Sequence, residues 1–277
     1  MHCADQKGIV ASVTDFLLKN NGNIISLGEH VDRDSGRFFM RVEWTITDFV
    51  IPRDKIGEYF ASMIASRFDM SWRLHFRNNK PRIAILVSKY AHCFFDILNR
   101  WEAKEWKIEI PVIISNHDKF AYVAERHNIP YHVFPINKSN KSALEAEEIA
   151  LLNHYQVDVV VLARYMQILS GDFIRQFPDR IINIHHSSLP AFAGAHPYES
   201  AYQRGVKIIG ATSHYVTEDL DAGPIIAQDV IPISHSDSVV DMKRKGKDIE
   251  KNVLAQAIWA HINYKIISYN NRTVIFN

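Results

Sequence analysis

The chain has 277 residues, enough for two domains, and 47% of them are hydrophobic, as in a folded protein with a sizeable core. Its 32 Lys and Arg residues nearly balance 31 Asp and Glu, so no charge excess favours nucleic acid as a partner. The two cysteines, Cys3 and Cys93, form neither a disulfide framework nor a Cys-x-x-Cys pair. The N terminus is polar and no apolar run is long enough to cross a bilayer. These features predict a cytoplasmic protein with no membrane partner.

Residues 1–77 predict a small α+β domain in which helices alternate with strands. Apolar residues recur at helical spacing from Ile9 to Leu17, and alternating patterns then indicate strands joined by a polar turn. This order gives most of a ferredoxin-like βαββαβ fold. The predicted elements are a helix over 9–17, strands over 23–31 and 37–46, a helix opened by Pro52 and a strand over 71–76.

The residues that enter the first helix, Asp5-Gln6-Lys7-Gly8-Ile9-Val10-Ala11, resemble the opening of ACT domains, small regulatory modules that often bind amino acids. The resemblance implies that this domain could bind an amino-acid effector. It also implies a homo-oligomer, because ACT domains usually pair. Such a domain begins with a strand before this point, and only about three residues precede the motif here, so we expect the first strand to be shortened.

After a polar linker at 77–81, apolar runs alternate with amphipathic helices through the second predicted domain, residues 81–277. Strands that are apolar throughout, such as 83–87, are typical of a sheet covered on both faces. The pattern therefore predicts a Rossmann-like α/β domain with a mainly parallel, doubly wound sheet. Its predicted strands are 82–88, 111–115, 131–134, 157–162, 181–184, 208–216 and 225–231, and its helices are 92–103, 118–127, 141–154, 171–177, 197–204 and 237–264, before a hairpin at 270–271.

Three polar segments follow predicted strands, and ligands of open α/β sheets bind beyond the carboxyl ends of strands. Asn183 and His185 lie two apart on one strand and so project from one face; an amide donor beside an imidazole suits acyl chemistry. Residues 217–224 form an acidic loop, and 162–170 form the third segment. Each pattern also fits a structural role: turn and capping chemistry, a solvated loop, or core packing. Spacing alone predicts a pocket with one candidate proton shuttle.

The motifs Asn183-Ile184-His185 and Glu218-Asp219-Leu220-Asp221-Ala222-Gly223-Pro224, in this order and spacing, resemble those of the formyltransferase family that uses 10-formyltetrahydrofolate. The resemblance runs from about residue 81 to 231, and it implies that the loop 162–170 binds the pterin ring. The catalytic residues that it implies are Asn183, His185 and Asp221. The candidate substrate-binding residues, taken from their position around this pocket, are Met166, Gln167, Ile168, Leu169, His214 and Thr217.

An ACT-like domain in front of this catalytic domain is the arrangement of one branch of the family, the formyltetrahydrofolate deformylases. The runs at 86–93, 114–117, 161–170 and 210–215 resemble theirs, so the likeness covers nearly the whole chain. The resemblance implies a hydrolase that converts 10-formyltetrahydrofolate to formate and tetrahydrofolate and supplies formate for purine biosynthesis.

Two other functions remain open. The related glycinamide ribonucleotide formyltransferases pass the formyl group to a phosphorylated amine, and they carry a glycine-containing loop after their first strand. The corresponding residues 88–93 contain no glycine, so a backbone cradle for phosphate is not expected, although Lys89 alone could hold a phosphate. The third candidate is a non-catalytic amino-acid sensor whose second domain only binds folate. An intact Asn, His and Asp trio argues against it.

The remaining polar residues have simpler interpretations. His186 should point to the face opposite His185, whereas His214 could line the pocket or be a satisfied core histidine. No motif supplies a base for Cys93 as a nucleophile. Adjacent histidines on a strand diverge and no His-Glu-x-x-His motif is present, so we expect neither a metal nor a cofactor besides the folate substrate.

Overall fold

The computed structural model describes residues 1–189 and 197–276, which divide into two compact units. The first unit contains residues 1–79, 264–269 and 274–277, and the second contains 80–263 and 270–273. The division near residue 80 falls within the predicted linker. The C-terminal end differs from the predicted domain 81–277, because part of it packs in the first unit, where the Tyr264 ring stacks on His75 at 3.8 Å. His196, which carries no sequence signal, lies outside the described residues.

The first unit is built on a sheet of order β1-β3-β2 in which both pairings are antiparallel. The predicted helical stripe is confirmed, since Ile9, Val13, Phe16 and Leu17 are all buried against this sheet's core. This architecture fits an ACT-like fold. Its elements are β1 (His2–Ala4), α1 (Ile9–Lys19), β2 (Asn23–Asp32), β3 (Arg37–Thr45), α2 (Ile56–Met63) and a 3₁₀ turn (Ala65–Phe68).

Two expectations for this unit are wrong. The predicted strand over 71–76 is only an isolated bridge between Ser71 and His2, because β1 is three residues long and offers few groups to pair with. The predicted helix at Pro52 begins at Ile56 instead. The short first strand itself is present, as expected, and it lies at the edge of the sheet.

The second unit is centred on a seven-stranded sheet with the order β10-β9-β8-β7-β4-β5-β6, as counted over the described residues. The five strands from β8 to β6 are parallel, and β9 and β10 are antiparallel additions at one end. This confirms the α/β prediction with a mainly parallel sheet. The strands are β4 (Arg82–Val87), β5 (Glu109–Ser115), β6 (Tyr131–Val133), β7 (Val159–Ala163), β8 (Ile181–His185), β9 (Ile208–Tyr215) and β10 (Ile225–Pro232).

Helices follow the strands as a doubly wound fold requires, and the long final helix lies against β8, β9 and β10. The central strands β4 and β7 are almost wholly buried, which explains why their sequences are apolar without alternation. The helices are α3 (His92–Glu102), α4 (Ala121–Arg126), α5 (Lys141–His154), α6 (Gly171–Gln176), α7 (Pro197–Arg204) and α8 (Val239–Ile262), followed by the strands β11 (Ile266–Tyr269) and β12 (Arg272–Ile275).

The register of the sheet determines which polar residues can meet. Leu162 on β7 pairs in parallel with Asn183 on β8, so the chain leaves β7 close to the level of His185. On the other side of β8, Asn183 faces His214 of the antiparallel β9. The β7 end therefore lies beside His185, and β9 places His214 beside Asn183. No helix in the described ranges is both long and apolar enough to pass through a bilayer.

Candidate active site

Four polar side chains from two strands and a loop meet at the end of β8. Asn183 and His185 lie on β8, His214 lies on the paired strand β9, and Asp221 lies in the loop between β9 and β10. Nδ1 of His185 is 3.1 Å from Oδ2 of Asp221, and Nδ2 of Asn183 is 3.2 Å from Nε2 of His214. The structure thus brings together the three residues predicted to be catalytic, and His214 with them.

Asp221 determines how the His185 ring is protonated. The hydrogen bond with Nδ1 of His185 is the largest of the causes that hold the pKa of Asp221 well below its usual range. An ionised carboxylate can only accept hydrogen bonds, so Nδ1 of His185 carries the proton and donates it. Nε2 of the neutral ring then holds a lone pair. This atom is buried and has no hydrogen-bond partner among the described residues, so it is available as a base.

His214 orients the side-chain amide of Asn183. Nδ1 of His214 lies 2.9 Å from the backbone oxygen of Tyr215, which can only accept, so Nδ1 is the donor. In the neutral ring Nε2 is then an acceptor and receives one N–H of Asn183. The second N–H of that amide remains for an oxygen bound in the pocket. His214 is 2% exposed and is hydrogen bonded both to the Tyr215 carbonyl and to the Asn183 amide, so it orients that amide.

The loop that carries Asp221 has little freedom. Asp221 adopts a left-handed backbone conformation, with φ at 53°, and the chain then returns so that the Tyr215 N–H donates to the Pro224 carbonyl at 2.9 Å. Gly223 is required at this return: a Cβ there would lie 1.8 Å from the Tyr215 carbonyl oxygen. Strained backbone of this kind persists where the surrounding structure enforces it. The loop backbone therefore fixes the position of the Asp221 carboxylate beside His185.

His186 does not point away from His185 as predicted. The two imidazole rings lie side by side, with centroids 5.0 Å apart and an angle of 24° between their planes. The alternation of side chains applies within a strand, and β8 ends at His185, so the rule does not extend to the next residue. Burial, followed by the nearby charges of Arg164 and His185, lowers the pKa of His186 to about 4. His186 is therefore neutral near pH 7.

A buried carboxylate that the sequence did not reveal lies close enough to His186 to interact with it electrostatically. Glu250 on α8 is 2% exposed; its Oε2 lies 2.8 Å from Nε2 of His92, and its Oε1 accepts from the Tyr198 hydroxyl at 3.1 Å. Nη1 of Arg164 lies 3.5 Å from the same carboxylate. Burial opposes ionisation, but these partners outweigh it and the pKa of Glu250 lies below its ordinary value. The sequence signal that could have indicated Glu250 is a glutamate at a position of the last long helix where the helical pattern favours an apolar side chain.

His92, Cys93 and Glu250 are close enough to suggest a cation site, since their ligand atoms lie within 4.8 Å of one another. The charges and hydrogen bonds of these three residues do not favour a bound cation. His92 and Glu250 are already hydrogen bonded to each other, and Arg164 brings a positive charge to the carboxylate. Burial raises the pKa of the Cys93 thiol well above its usual value, so it stays protonated. The expectation for Cys93, that it is no nucleophile, agrees with this environment.

The predicted substrate-binding loop leaves β7 beside this site. Its side chains alternate: Met166 and Ile168 are 57% and 61% exposed, Gln167 is half-buried and Leu169 is buried. Arg164 and Met166 both have left-handed φ values, 61° and 62°. Thr217, the other predicted contact, donates its hydroxyl to the Asp219 carbonyl at 3.1 Å. The loop thus places backbone groups and two apolar side chains at the end of the sheet where His185 lies.

The formyl transferase family matches residues 81–258 of the chain. This range contains the whole parallel sheet and all four side chains that meet at β8. The chain belongs to the formyl transferase family, as its two motifs predict.

Within this family the full-length likeness is to the formyltetrahydrofolate deformylases. The protein of that name from Synechocystis sp. is 51% identical over 99% of this chain and 96% of its own length, and that from Bacillus subtilis is 46% identical over 99% and 92%. A crystal structure of a formyltetrahydrofolate deformylase from Pseudomonas syringae superposes with a TM-score of 0.97 at 45% identity, covering 100% of this chain and 92% of that one.

The transferase branch matches less of the chain. The crystal structure of glycinamide ribonucleotide transformylase 1 from Symbiobacterium toebii superposes with a TM-score of 0.68 at 30% identity. It covers 74% of this chain but 99% of its own. A segment the size of the first unit is therefore absent from that protein, whereas the deformylases match it.

Proposed function

We propose that the chain hydrolyses 10-formyltetrahydrofolate to formate and tetrahydrofolate at the site formed by Asn183, His185 and Asp221. The observation that carries the proposal is the His185 ring, whose Nδ1 is held by Asp221 and whose Nε2 has no hydrogen-bond partner among the described residues. The full-length similarity to the deformylases supports the same function. The reaction needs the substrate and water, and no metal or other cofactor enters it.

Hydrolysis begins with a water molecule activated by His185. As the water oxygen bonds to the formyl carbon, Nε2 of His185 takes a proton, and the ring becomes an imidazolium whose Nδ1–H remains bonded to the Asp221 carboxylate. The low pKa of Asp221 means that this carboxylate stays ionised and stabilises the positive ring. Asp221 therefore serves to orient His185 and to favour its charged form.

Asn183 stabilises the oxyanion that forms at the same time. One N–H of its amide is bonded to His214. The other N–H can donate a hydrogen bond to the formyl oxygen as negative charge develops there. The imidazolium then returns its proton to N10 as the bond between carbon and N10 breaks. Protonation is needed because an anilide-like anion is a poor leaving group. The products are tetrahydrofolate and formic acid; the acid loses its remaining proton to solvent and leaves as formate, and Nε2 of His185 regains its lone pair.

The start of α3 favours water over a phosphorylated amine as the acceptor. A helix that begins after a parallel strand commonly binds phosphate with its first N–H groups. In this chain the side chain of His92, the first residue of α3, is bonded to the buried Glu250 carboxylate, which places a negative charge near the start of this helix. A second anion beside Glu250 would be repelled, and the loop of residues 88–91 has no glycine to admit it. This observation supports hydrolysis over formyl transfer.

The experiment that tests the proposal measures formate released from 10-formyltetrahydrofolate by the purified chain with no amine added. A hydrolase releases formate and tetrahydrofolate in equal amounts under these conditions. A transferase consumes the donor only after glycinamide ribonucleotide is supplied, and a folate-binding sensor consumes none. Absence of acceptor-independent formate release would refute the function.

Three further features belong to the same proposal. We propose that the first unit binds an amino-acid effector, that the chain forms a homo-oligomer through it, and that the enzyme acts in the cytoplasm. The ACT-like order of elements in the first unit supports the effector and the oligomer. Light scattering with and without each amino acid, combined with formate release, tests both.

A further inference from the structure

The three acidic residues that are buried in the described part of the chain all contact one loop. They are Glu145 and Glu148 on α5 and Glu250 on α8, which are 3%, 0% and 2% exposed. The loop consists of residues 164–170, between β7 and α6, and is called the β7–α6 loop below. Buried carboxylates are costly unless they are paired. The position of all three buried carboxylates beside this one loop therefore suggests that they hold the loop in place.

Each acid holds a different part of the β7–α6 loop. Glu250 lies 3.5 Å from Nη1 of Arg164 at the start of the loop. Glu148 accepts a hydrogen bond of 2.6 Å from the Tyr165 hydroxyl. Glu145 accepts from the backbone N–H of Ser170 at 3.1 Å, at the point where Ser170 caps α6. The first, second and last residues of the loop are thus fixed by carboxylates from two helices.

The backbone between these anchors adopts a conformation that it would not keep by itself. Arg164 and Met166 are non-glycine residues with φ at 61° and 62°, in the left-handed region. Tyr165, between them, is 1% exposed, and its hydroxyl is held by Glu148. The turn exposes Met166 and Ile168 on its outer side. Strained backbone that is held by surrounding groups is characteristic of ligand-binding segments.

We infer that Glu148 is a positioning residue for the folate: through the Tyr165 hydroxyl it holds the β7–α6 loop in the shape that binds the substrate. The inference rests on the proposed function, and within it Glu148 contributes to affinity and not to the chemical step. Glu148 lies on α5, its hydrogen-bond partner is Tyr165, and it is not one of the three residues assigned to the chemical step. Its loss should therefore raise the KM for 10-formyltetrahydrofolate and leave kcat nearly unchanged.

The strength of this anchor should depend on pH. Burial is the main cause that raises the pKa of Glu148, to about 7; the hydrogen bond from Tyr165 lowers it, and the charge of Glu145 raises it. Because that hydrogen bond favours the ionised carboxylate, ionisation in turn strengthens the hold on Tyr165. Lys141, whose Nζ lies 3.8 Å from Oε1 of Glu145, brings a positive charge to the neighbouring carboxylate. KM should accordingly fall as pH rises through about 7.

The test compares Glu148→Gln with Glu147→Gln, an exposed neighbour on the same helix. Glutamine keeps the shape and a neutral acceptor but cannot ionise. At pH 8 we expect Glu148→Gln to raise KM by roughly 3- to 10-fold with kcat within about twofold. Below pH 6 its KM should match that of the parent. Glu147→Gln should follow the parent at every pH. Equal KM values for the two variants across the pH range would overturn the inference.

A second variant tests the same contact from its other partner, so the inference can still be tested if Glu148→Gln does not fold. Tyr165→Phe removes only the hydroxyl and should raise KM by a similar factor, and the double variant should be no worse than either single one. A loss of kcat that parallels a loss of melting temperature in all of these variants would indicate a general structural role and refute positioning. The dissociation constant of tetrahydrofolate gives a second readout. If the parent binds tetrahydrofolate but releases no formate, the proposed function fails, whereas an unchanged constant in Tyr165→Phe defeats this inference alone.

Discussion

Nδ1 of His185 lies 3.1 Å from Oδ2 of Asp221, although the two residues come from a strand and from a loop that follows a different strand. The contact leaves the opposite ring nitrogen of His185 without a hydrogen bond among the described residues, in a buried position. A carboxylate behind an imidazole fixes both the tautomer and the direction of the lone pair. The chemistry of the site therefore depends on where the Asp221 loop is held.

Replacing Asp221 with Asn should reduce kcat by about 10³–10⁴-fold, with a smaller effect on tetrahydrofolate binding. The amide can donate to Nδ1 of His185, which would place the ring proton on Nε2 and remove the base. Formate release at saturating substrate checks this prediction. Asp219→Asn, an exposed change in the same loop, is the matched control and should keep parental turnover. A kcat of Asp221→Asn within tenfold of the parent would contradict the assigned role.

Replacing Asn183 with Ala should reduce kcat by about 10²–10³-fold, the usual loss when one oxyanion donor is removed. Asn183→Asp should be at least as slow, because a carboxylate of the same shape accepts hydrogen bonds and repels the developing charge. Binding of tetrahydrofolate, which has no formyl oxygen, should change little in Asn183→Ala. Equal losses of product binding and turnover would show that Asn183 acts in binding instead.

The strands of the second unit could be predicted because strands that are buried on both faces have continuous apolar sequences. Residues 83–87 and 159–163 are buried on both faces, and strands were expected over 82–88 and 157–162. The strands over 208–216 and 225–231 were expected too, but their antiparallel direction and the register of the sheet could not be predicted, because neither leaves a periodic signal. The strand over 71–76 was expected from alternation alone and is absent, since pairing also requires a partner long enough to receive it.

The site was predicted by its motifs, and its surroundings were not. Asn183 and His185 share one strand, so their proximity follows from spacing, whereas the contact with Asp221 was implied only by the family resemblance. The role of Glu250 could not be predicted because its partners His92 and Arg164 lie far from it in the sequence. A buried carboxylate is defined by what packs around it, and a single sequence does not display that.

His186 should make stability depend on pH on the acid side. Its pKa is lowered to about 4, mainly by burial, so between pH 6.5 and about 4 the unfolded chain binds a proton there that the folded chain does not. The contribution is present above pH 6.5 and is lost as pH falls. His186→Gln should flatten this dependence in urea unfolding between pH 7 and 4.5, whereas the exposed His235→Gln should not. Glu148, with its raised pKa, acts in the opposite direction, so variant and parent are compared at each pH.

Gly223→Ala should impair catalysis without touching a catalytic side chain. The added Cβ would lie 1.8 Å from the Tyr215 carbonyl oxygen, a backbone atom that cannot move aside, so the loop must shift. Asp221 lies two residues earlier, and a displacement of about 1 Å commonly costs about 10²-fold in rate. Gly57→Ala is the matched control, since its Cβ would lie 3.4 Å from the Trp72 ring, an ordinary contact. If Gly223→Ala kept kcat within twofold of the parent, the placement of Asp221 would not depend on the close return of this loop to β9.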